Sequence, residues 1–193
     1  MSGKVISAMS MSLDGFVTGP DDSRERPLGV GGEPLNDWLM DPSEADLRVL
    51  GDMGAGGAIV MGRRSYDFCE GDAAWGDGGP AGKTPCFVLS HSVPDAITAP
   101  DVFTFVADGI ESAIEQAKAA AGGKVVGLHG ASAPQQALKA GLLDEIWVHL
   151  VPILLSDGVR LFDLLGAGPV RLERTSVIES PKATHMRFRV VAR

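Results

Sequence analysis

Ile59-Val60-Met61-Gly62-Arg63-Arg64-Ser65-Tyr66 decides how the chain is read. Ala58 to Met61 is a short continuous apolar run, the pattern of a strand covered on both faces. Gly62 closes the run, and Arg63 to Cys69 reads as the helix that follows at once. Such strand-to-helix passages build α/β sheets. The start of a helix offers free amides and a partial positive charge, which suits an anion. Two arginines at that end oppose the helix dipole, by about 0.3–1 kcal/mol each when exposed. A phosphate in front of them removes the conflict, so Gly62, Arg63, Arg64 and Ser65 are candidate phosphate ligands. The competing reading is a solvated pair of arginines at a strand end.

Outward from this stretch, strands and helices alternate. Val5 to Met11 is rich in strand formers and ends at the turn pair Asp14-Gly15. Residues 19–36 carry Pro20, Asp21, Asp22, Gly29, Gly31, Gly32 and Pro34 and read as a long loop, a length usually tied to function or mobility. Ser43 opens a helix by capping the amides near Asp46, and Gly54, Gly56 and Gly57 end it. Residues 71–85 form a second loop rich in Gly, Asp and Pro. Cys86 to Leu89 and Val102 to Val106 read as buried strands. Asp108-Gly109-Ile110-Glu111 has capping-box form before Ile110, Ala113, Ile114 and Ala117 at helical spacing. Val125-Val126 resumes the sheet, and a helix runs from Ser132 to Gly141. Asp144 to Leu155, the longest apolar segment, predicts a central strand. Val170 to Ile178 and His185 to Val191 nearly alternate, as antiparallel strands with one wet face do. Met186, Phe188 and Val190 point one way, Arg187 and Arg189 the other. The sum is a single α/β domain over residues 1–193 with a mixed central sheet.

Composition narrows the classes. A chain of 193 residues, 45 % hydrophobic and 22 % charged, is an ordinary globular domain rather than a disordered one. A net charge of −8 argues against non-specific nucleic-acid binding, yet allows a local basic patch for a small anionic ligand. No apolar run reaches the ~18 residues of a membrane span, and no leader pattern precedes Val5. Cys69 and Cys86 make neither a disulfide framework nor a metal-ligand spacing. The expectation is a cytoplasmic protein with reduced thiols and no metal.

Two more strand ends carry small polar residues: Leu89-Ser90-His91-Ser92, and Gly127-Leu128-His129-Gly130-Ala131-Ser132. The second is not the GxGxxG fingerprint of a dinucleotide fold. Ligands of open α/β sheets lie beyond the carboxyl ends of the strands. Glycine there lets backbone approach a pyrophosphate. Three such ends point to one extended nucleotide site.

Here the chain resembles a known family. Met11-Ser12-Leu13-Asp14-Gly15, Val60-Met61-Gly62-Arg63-Arg64-Ser65, Leu89-Ser90-His91, and Gly141-Leu142-Leu143-Asp144-Glu145-Ile146 through Val151-Pro152-Ile153-Leu154-Leu155, with Gly158 and Leu161-Phe162, are similar to blocks of the dihydrofolate reductase-like superfamily. The nearer branch is the C-terminal reductase domain of bifunctional riboflavin-biosynthesis enzymes, the RibD C-terminal type. The resemblance implies a three-layer αβα fold with a mixed, mostly parallel central sheet and antiparallel C-terminal strands. It implies NADPH as cofactor, hydride transfer to a small heterocycle (pterin-, pyrimidine- or flavin-precursor-like), and a homodimer.

By position, the resemblance puts Gly62, Arg63, Arg64 and Ser65 on the cofactor phosphates, and Ser90 and His91 near the adenosine 2′-phosphate. It puts His129, Gly130, Ala131 and Ser132 over the pyrophosphate, Ser10 and Val17 near the nicotinamide, and Asp14, Trp38 and the long loop toward substrate. The family's Gly-Gly with a cis peptide is His129-Gly130 here. A cis bond after histidine costs about 3 kcal/mol, so the bond is either trans or stabilised by binding geometry. The zinc-deaminase ligand set of the bifunctional enzymes is missing, which implies a stand-alone reductase domain. An ungapped alignment on Met61-Gly62-Arg63 puts Asp46 where dihydrofolate reductases carry the carboxylate that assists protonation, although a first-turn helix acid has its own dipole reason to exist. His149 and His185 fall within strands and read as packed or surface residues. Trp38 and Trp75 sit in loops, as an aromatic wall or as loop anchors. Three functions stay open: an NADPH-dependent reductase, a non-catalytic nucleotide-binding module of the same fold, or a true dihydrofolate reductase.

Overall fold

The computed structural model describes residues 3–69, 79–97, 99–163, 165–166 and 168–191. Most of the second long loop, and Trp75 with it, lies outside the described residues, as does the side chain of Cys69. In chain order the elements are β1 (Val5–Ser12), β2 (Phe16–Thr18), a 3₁₀ turn (Glu33–Asn36), α1 (Asp37–Met40), α2 (Glu44–Gly54), β3 (Ala58–Gly62), α3 (Arg63–Cys69), β4 (Cys86–Leu89), β5 (Phe103–Val106), α4 (Ile110–Ala121), β6 (Val126–His129), α5 (Ser132–Lys139), β7 (Glu145–Val151), β8 (Val159–Arg160), β9 (Leu172–Glu179) and β10 (Thr184–Val190).

The main sheet runs β5-β4-β3-β6-β1-β7-β10-β9. Every pairing from β5 to β7 is parallel, and the last two pairings are antiparallel. This is the mixed sheet the sequence predicts, with its antiparallel strands at the C-terminal side. The continuous apolar runs are central because helices cover both their faces.

One face carries Val5, Ala58, Val60, Leu128, Ile146 and Val148 against α4 and α5. On the opposite face, Met61 and Val88 pack on Tyr66 of α3. Farther along that face, Val151 packs with Leu35, Trp38 and Val49, beneath α1 and α2. Alternate residues of β3 and β7 therefore serve different cores, as the two-residue strand period requires.

Ser43 caps α2 in a full capping box with Asp46. At α4 the cap is Gly109 (φ 91°), without a side-chain bond, so Asp108 does not cap the helix. The expected strand over Asp144 to Leu155 ends at Val151, just before Pro152, which lacks the amide to continue a ladder. The expected loop 19–36 ends in a helical turn, and Trp38 sits in α1 with 1 % of its surface exposed. A separate ribbon pairs β2 with β8 and was not foreseen.

Candidate functional site

The chain leaves β3 through α3 toward β4 on one side, and leaves β6 through α5 toward β7 on the other. β3 and β6 are neighbours and the winding reverses between them, the place where open α/β sheets take their ligands. The two strand-to-helix turns meet there closely. A Cβ on Gly62 would lie 2.5 Å from Ser132 Oγ, and one on Gly130 would lie 2.6 Å from Ser65 Oγ. Gly130 has φ +79°, a conformation that suits glycine. The peptide between His129 and Gly130 is trans, since no cis bond occurs among the described residues. No side chain caps the start of α5.

Arg63 lies beside this crossing. Its Nε donates to Asp67 Oδ1 at 2.7 Å. Its Nη1 donates to Ser90 Oγ at 3.2 Å and to the Ser92 carbonyl at 3.0 Å. The guanidinium thus bridges the ends of β3 and β4, with exposed His91 next to it. Arg64 turns elsewhere. It forms a two-pronged pair with Asp22, through Nε (3.0 Å) and Nη2 (2.7 Å), and so fastens the long loop. Those bonds also raise its pKa. Gly62, Arg63, Ser65, Ser90, Gly130 and Ser132 are therefore brought together, and the Arg64 head group is committed to Asp22.

The other expected residues make the following contacts with the frame. Val17 is buried within the main core. Asp14 accepts from Ser12 Oγ (2.6 Å), from the Leu155 amide (3.2 Å) and from the Ser156 amide (2.7 Å). The Ser12 bond and then those amides, outweighing desolvation, hold its carboxyl at about 2. Asp14 is thus a clamp between the β1–β2 turn and the segment after β7. Trp38 donates from Nε1 to Ser10 Oγ at 2.9 Å, with its ring buried. Trp38 therefore ties α1 to β1.

Asp46 lies in a buried polar string. Its Oδ2 accepts from the Ser43 amide and the Ser43 hydroxyl, both at 2.7 Å. Its Oδ1 is 2.7 Å from His185 Nε2. Beyond it, His185 Nδ1 is 2.9 Å from His149 Nδ1. Burial pushes the Asp46 carboxyl upward, but bonds from Ser43, Ser180 and His185 prevail and hold it at about 2. These bonds hold it as a carboxylate within the string. His149 and His185 are each 2 % exposed. Burial, helped by His185 and Arg187 and opposed by Asp46, drives His149 down to about 3. Sequence reasoning missed this string, because its members are 46, 149 and 185 and only sheet register joins them.

These groups set an acid response. His149 falls from 6.5 to about 3, and His129, through burial, from 6.5 to about 4. Between those limits the unfolded chain binds protons that the folded chain refuses. Stability should therefore rise with pH across that window, by about 1.4 kcal/mol per pH unit for each such histidine. As pH drops from 3.8 to about 2, Asp46 adds to the loss. Urea midpoints measured against pH check this. A flat profile below neutrality would contradict the buried neutral rings.

The comparisons with known proteins come down on one family. The model of the RibD C-terminal domain matches residues 3–186. The chain belongs to the RibD C-terminal domain family. No curated protein matches it in sequence. A putative riboflavin biosynthesis protein from Shewanella sp. PV-4 superposes with a TM-score of 0.73 at 24 % identity, covering 100 % of both chains. A dihydrofolate reductase from Enterococcus faecalis complexed with NADP(H) superposes with a TM-score of 0.60 at 13 % identity, covering 98 % of each chain. A deaminase/reductase from Thermotoga maritima gives 0.65 at 13 % identity, and the match covers 98 % of this chain and 57 % of that one. These likenesses show the fold of this RibD C-terminal domain to be dihydrofolate reductase-like. No helix among the described residues is long and apolar enough to cross a membrane.

Proposed function

We propose that this RibD C-terminal domain is an NADPH-dependent oxidoreductase acting on a small heterocycle of the pyrimidine, pterin or flavin-precursor kind. The observation that carries the reading is the crossing of Gly62 with Ser132 and of Gly130 with Ser65 at the switch point of the sheet. A Cβ at either glycine would collide with the serine hydroxyl that faces it, so both glycines are needed for the two turns to meet, and the serine hydroxyls with the nearby backbone amides would hold a pyrophosphate. Arg63, paired through Nε with Asp67 and tied through Nη1 to Ser90 and Ser92, holds its guanidinium at one side of this crossing. A guanidinium in this setting suits the 2′-phosphate that distinguishes NADPH from NADH. Ser10 and Val17 would flank the nicotinamide. Bound there, the reduced nicotinamide supplies a hydride to the substrate. A homodimer is part of the same proposal, as the family resemblance implies, and light scattering of the purified chain tests it.

Nicotinamide fluorescence should show NADPH binding more tightly than NADH. Arg63→Ala should weaken NADPH about 10-fold or more, in line with loss of a charge-assisted contact, and change NADH little. Arg64→Ala should act less, since Arg64 already serves Asp22. Equal affinity for the two nucleotides would refute the assignment. Steady NADPH oxidation with a panel of pyrimidines and pterins separates an enzyme from a binding module.

A further inference from the structure

We infer that His149 is the proton donor of this site, supplied by His185 and held in register by Asp46. The inference rests on the reductase reading above and concerns residues which that reading does not use.

Ser10, His149 and His185 form one row across the sheet. Ser10 of β1 is paired with His149 of β7, and His149 with His185 of β10. Partners in register point to the same face. Here that face is covered by Trp38, whose ring centroid is 4.6 Å from His149 and 4.8 Å from His185. Trp38 also bonds Ser10, the residue placed beside the nicotinamide. The row thus runs from the proposed reacting region to a carboxylate on α2. The inner nitrogen, His149 Nε2, is buried and has no hydrogen-bond partner among the described residues. A buried polar atom without a partner is costly in a native fold and calls for an explanation. A ligand atom in the bound state would supply the partner.

The two ring contacts allow two arrangements. With the pair neutral, His185 donates from Nε2 to Asp46 and accepts at Nδ1 from His149 Nδ1–H. His149 Nε2 is then a bare lone pair. When a proton is added, His185 becomes an imidazolium beside the Asp46 carboxylate and donates from Nδ1 to His149. His149 is then the Nε2–H tautomer and still neutral. One proton gained at His185 therefore turns His149 Nε2 from an acceptor into a donor.

The charged arrangement is the loaded one. As hydride adds to the carbon of a substrate C=N bond, the nitrogen takes the proton from His149 Nε2. His149 Nδ1 receives the His185 Nδ1 proton in exchange, and His185 returns to neutral. Asp46 remains a carboxylate throughout, so the string loses one proton and nothing else. Burial keeps water from Nε2. Asp46 and His185 are positioning residues, and His149 Nε2 is the one atom of the string that would bond a substrate atom in the bound state. The other groups around the string are Ser43, Ser180 and Arg187, and Arg187 is itself paired with Asp52.

The test reads the tautomers directly. Long-range proton–nitrogen NMR of the whole chain across a pH series should show His149 passing from Nδ1–H to Nε2–H in the same step in which the string takes up one proton. In His185→Gln, which can still donate to Asp46, that switch should vanish while NADPH fluorescence titrations stay unchanged. NADPH oxidation with a panel compound should fall about 100-fold in that variant, the scale of a lost general acid. A His149 tautomer that stays fixed while NADPH binds would overturn the relay alone. Failure of the wild-type chain to bind NADPH would overturn the reductase reading and the relay with it.

Discussion

Asp46→Ala is expected to lower stability by about 3–5 kcal/mol, because the Ser43 amide and hydroxyl and the His185 ring all lose their acceptor, at about 1–3 kcal/mol for each buried donor left unsatisfied. In a chain of this size that is a fall of about 6–20 °C in Tm, since each kcal/mol is worth about 2–4 °C. Asp46 is 1 % exposed, and His185, its partner, is 2 % exposed. Without the carboxylate, His185 keeps a buried N–H with nothing to accept it. The Ser43 amide and hydroxyl lose their acceptor as well, so half of the α2 capping box goes. Asp46→Asn keeps an acceptor for one of these donors and should cost less. Glu44→Ala, on the same helix, is the control. Its ion pair with Arg48 is exposed at both ends, and its removal should cost at most about 0.5 kcal/mol. Denaturant unfolding measures all three. A loss below about 1 kcal/mol for Asp46→Ala, the level of an average substitution, would show that the string carries little of the fold's stability.

The parts of the fold that were legible in sequence are those with dense local signals. β3 and α3 were visible because a strand buried on both faces must be apolar throughout, and because a single glycine marks the passage into the helix. α2 was visible because its cap is local, Ser43 to Asp46. The β2–β8 ribbon was not, as strands of three and two residues show no period and their partners lie far apart in sequence. The C-terminal strand shows a subtler failure. His185 shares the face of Arg187 and Arg189, which the sequence marks as wet. α1 and α2 cover only one end of that face, so His185 is buried beneath Trp38 while Arg189 pairs with Glu173 at the surface. Alternation reports which face a residue takes. It does not report where along the strand the cover stops.

The same distinction separates the glycines, and Gly158→Ala should be among the most damaging single methyls in the chain. Gly158 has φ +127°, and its added Cβ would lie 2.1 Å from the Thr18 carbonyl oxygen and 2.7 Å from the Gly19 carbonyl carbon. Both are backbone atoms, which have no rotamer by which to move aside. The dihedral strain costs about 1–3 kcal/mol, and the overpacking about as much again. A Tm lower by roughly 5–20 °C is expected. The damage should spread beyond stability. Gly158 precedes β8, which pairs with β2, and Arg160 donates to the Asp14 carbonyl while the Leu161 amide donates to that of Gly15. Pushing these strands apart would loosen β2, which carries Val17, and NADPH affinity should fall with it. Gly31→Ala isolates the dihedral cost, because Gly31 has φ +72° with nothing within 4 Å of its Cβ. Gly51→Ala should do the opposite and stabilise by about 0.5–1 kcal/mol, since Gly51 lies inside α2 with open space around it. If Gly158→Ala were no worse than Gly31→Ala, the ribbon would have room to yield, and the close approach of residues 18 and 158 would not be what fixes the first turn.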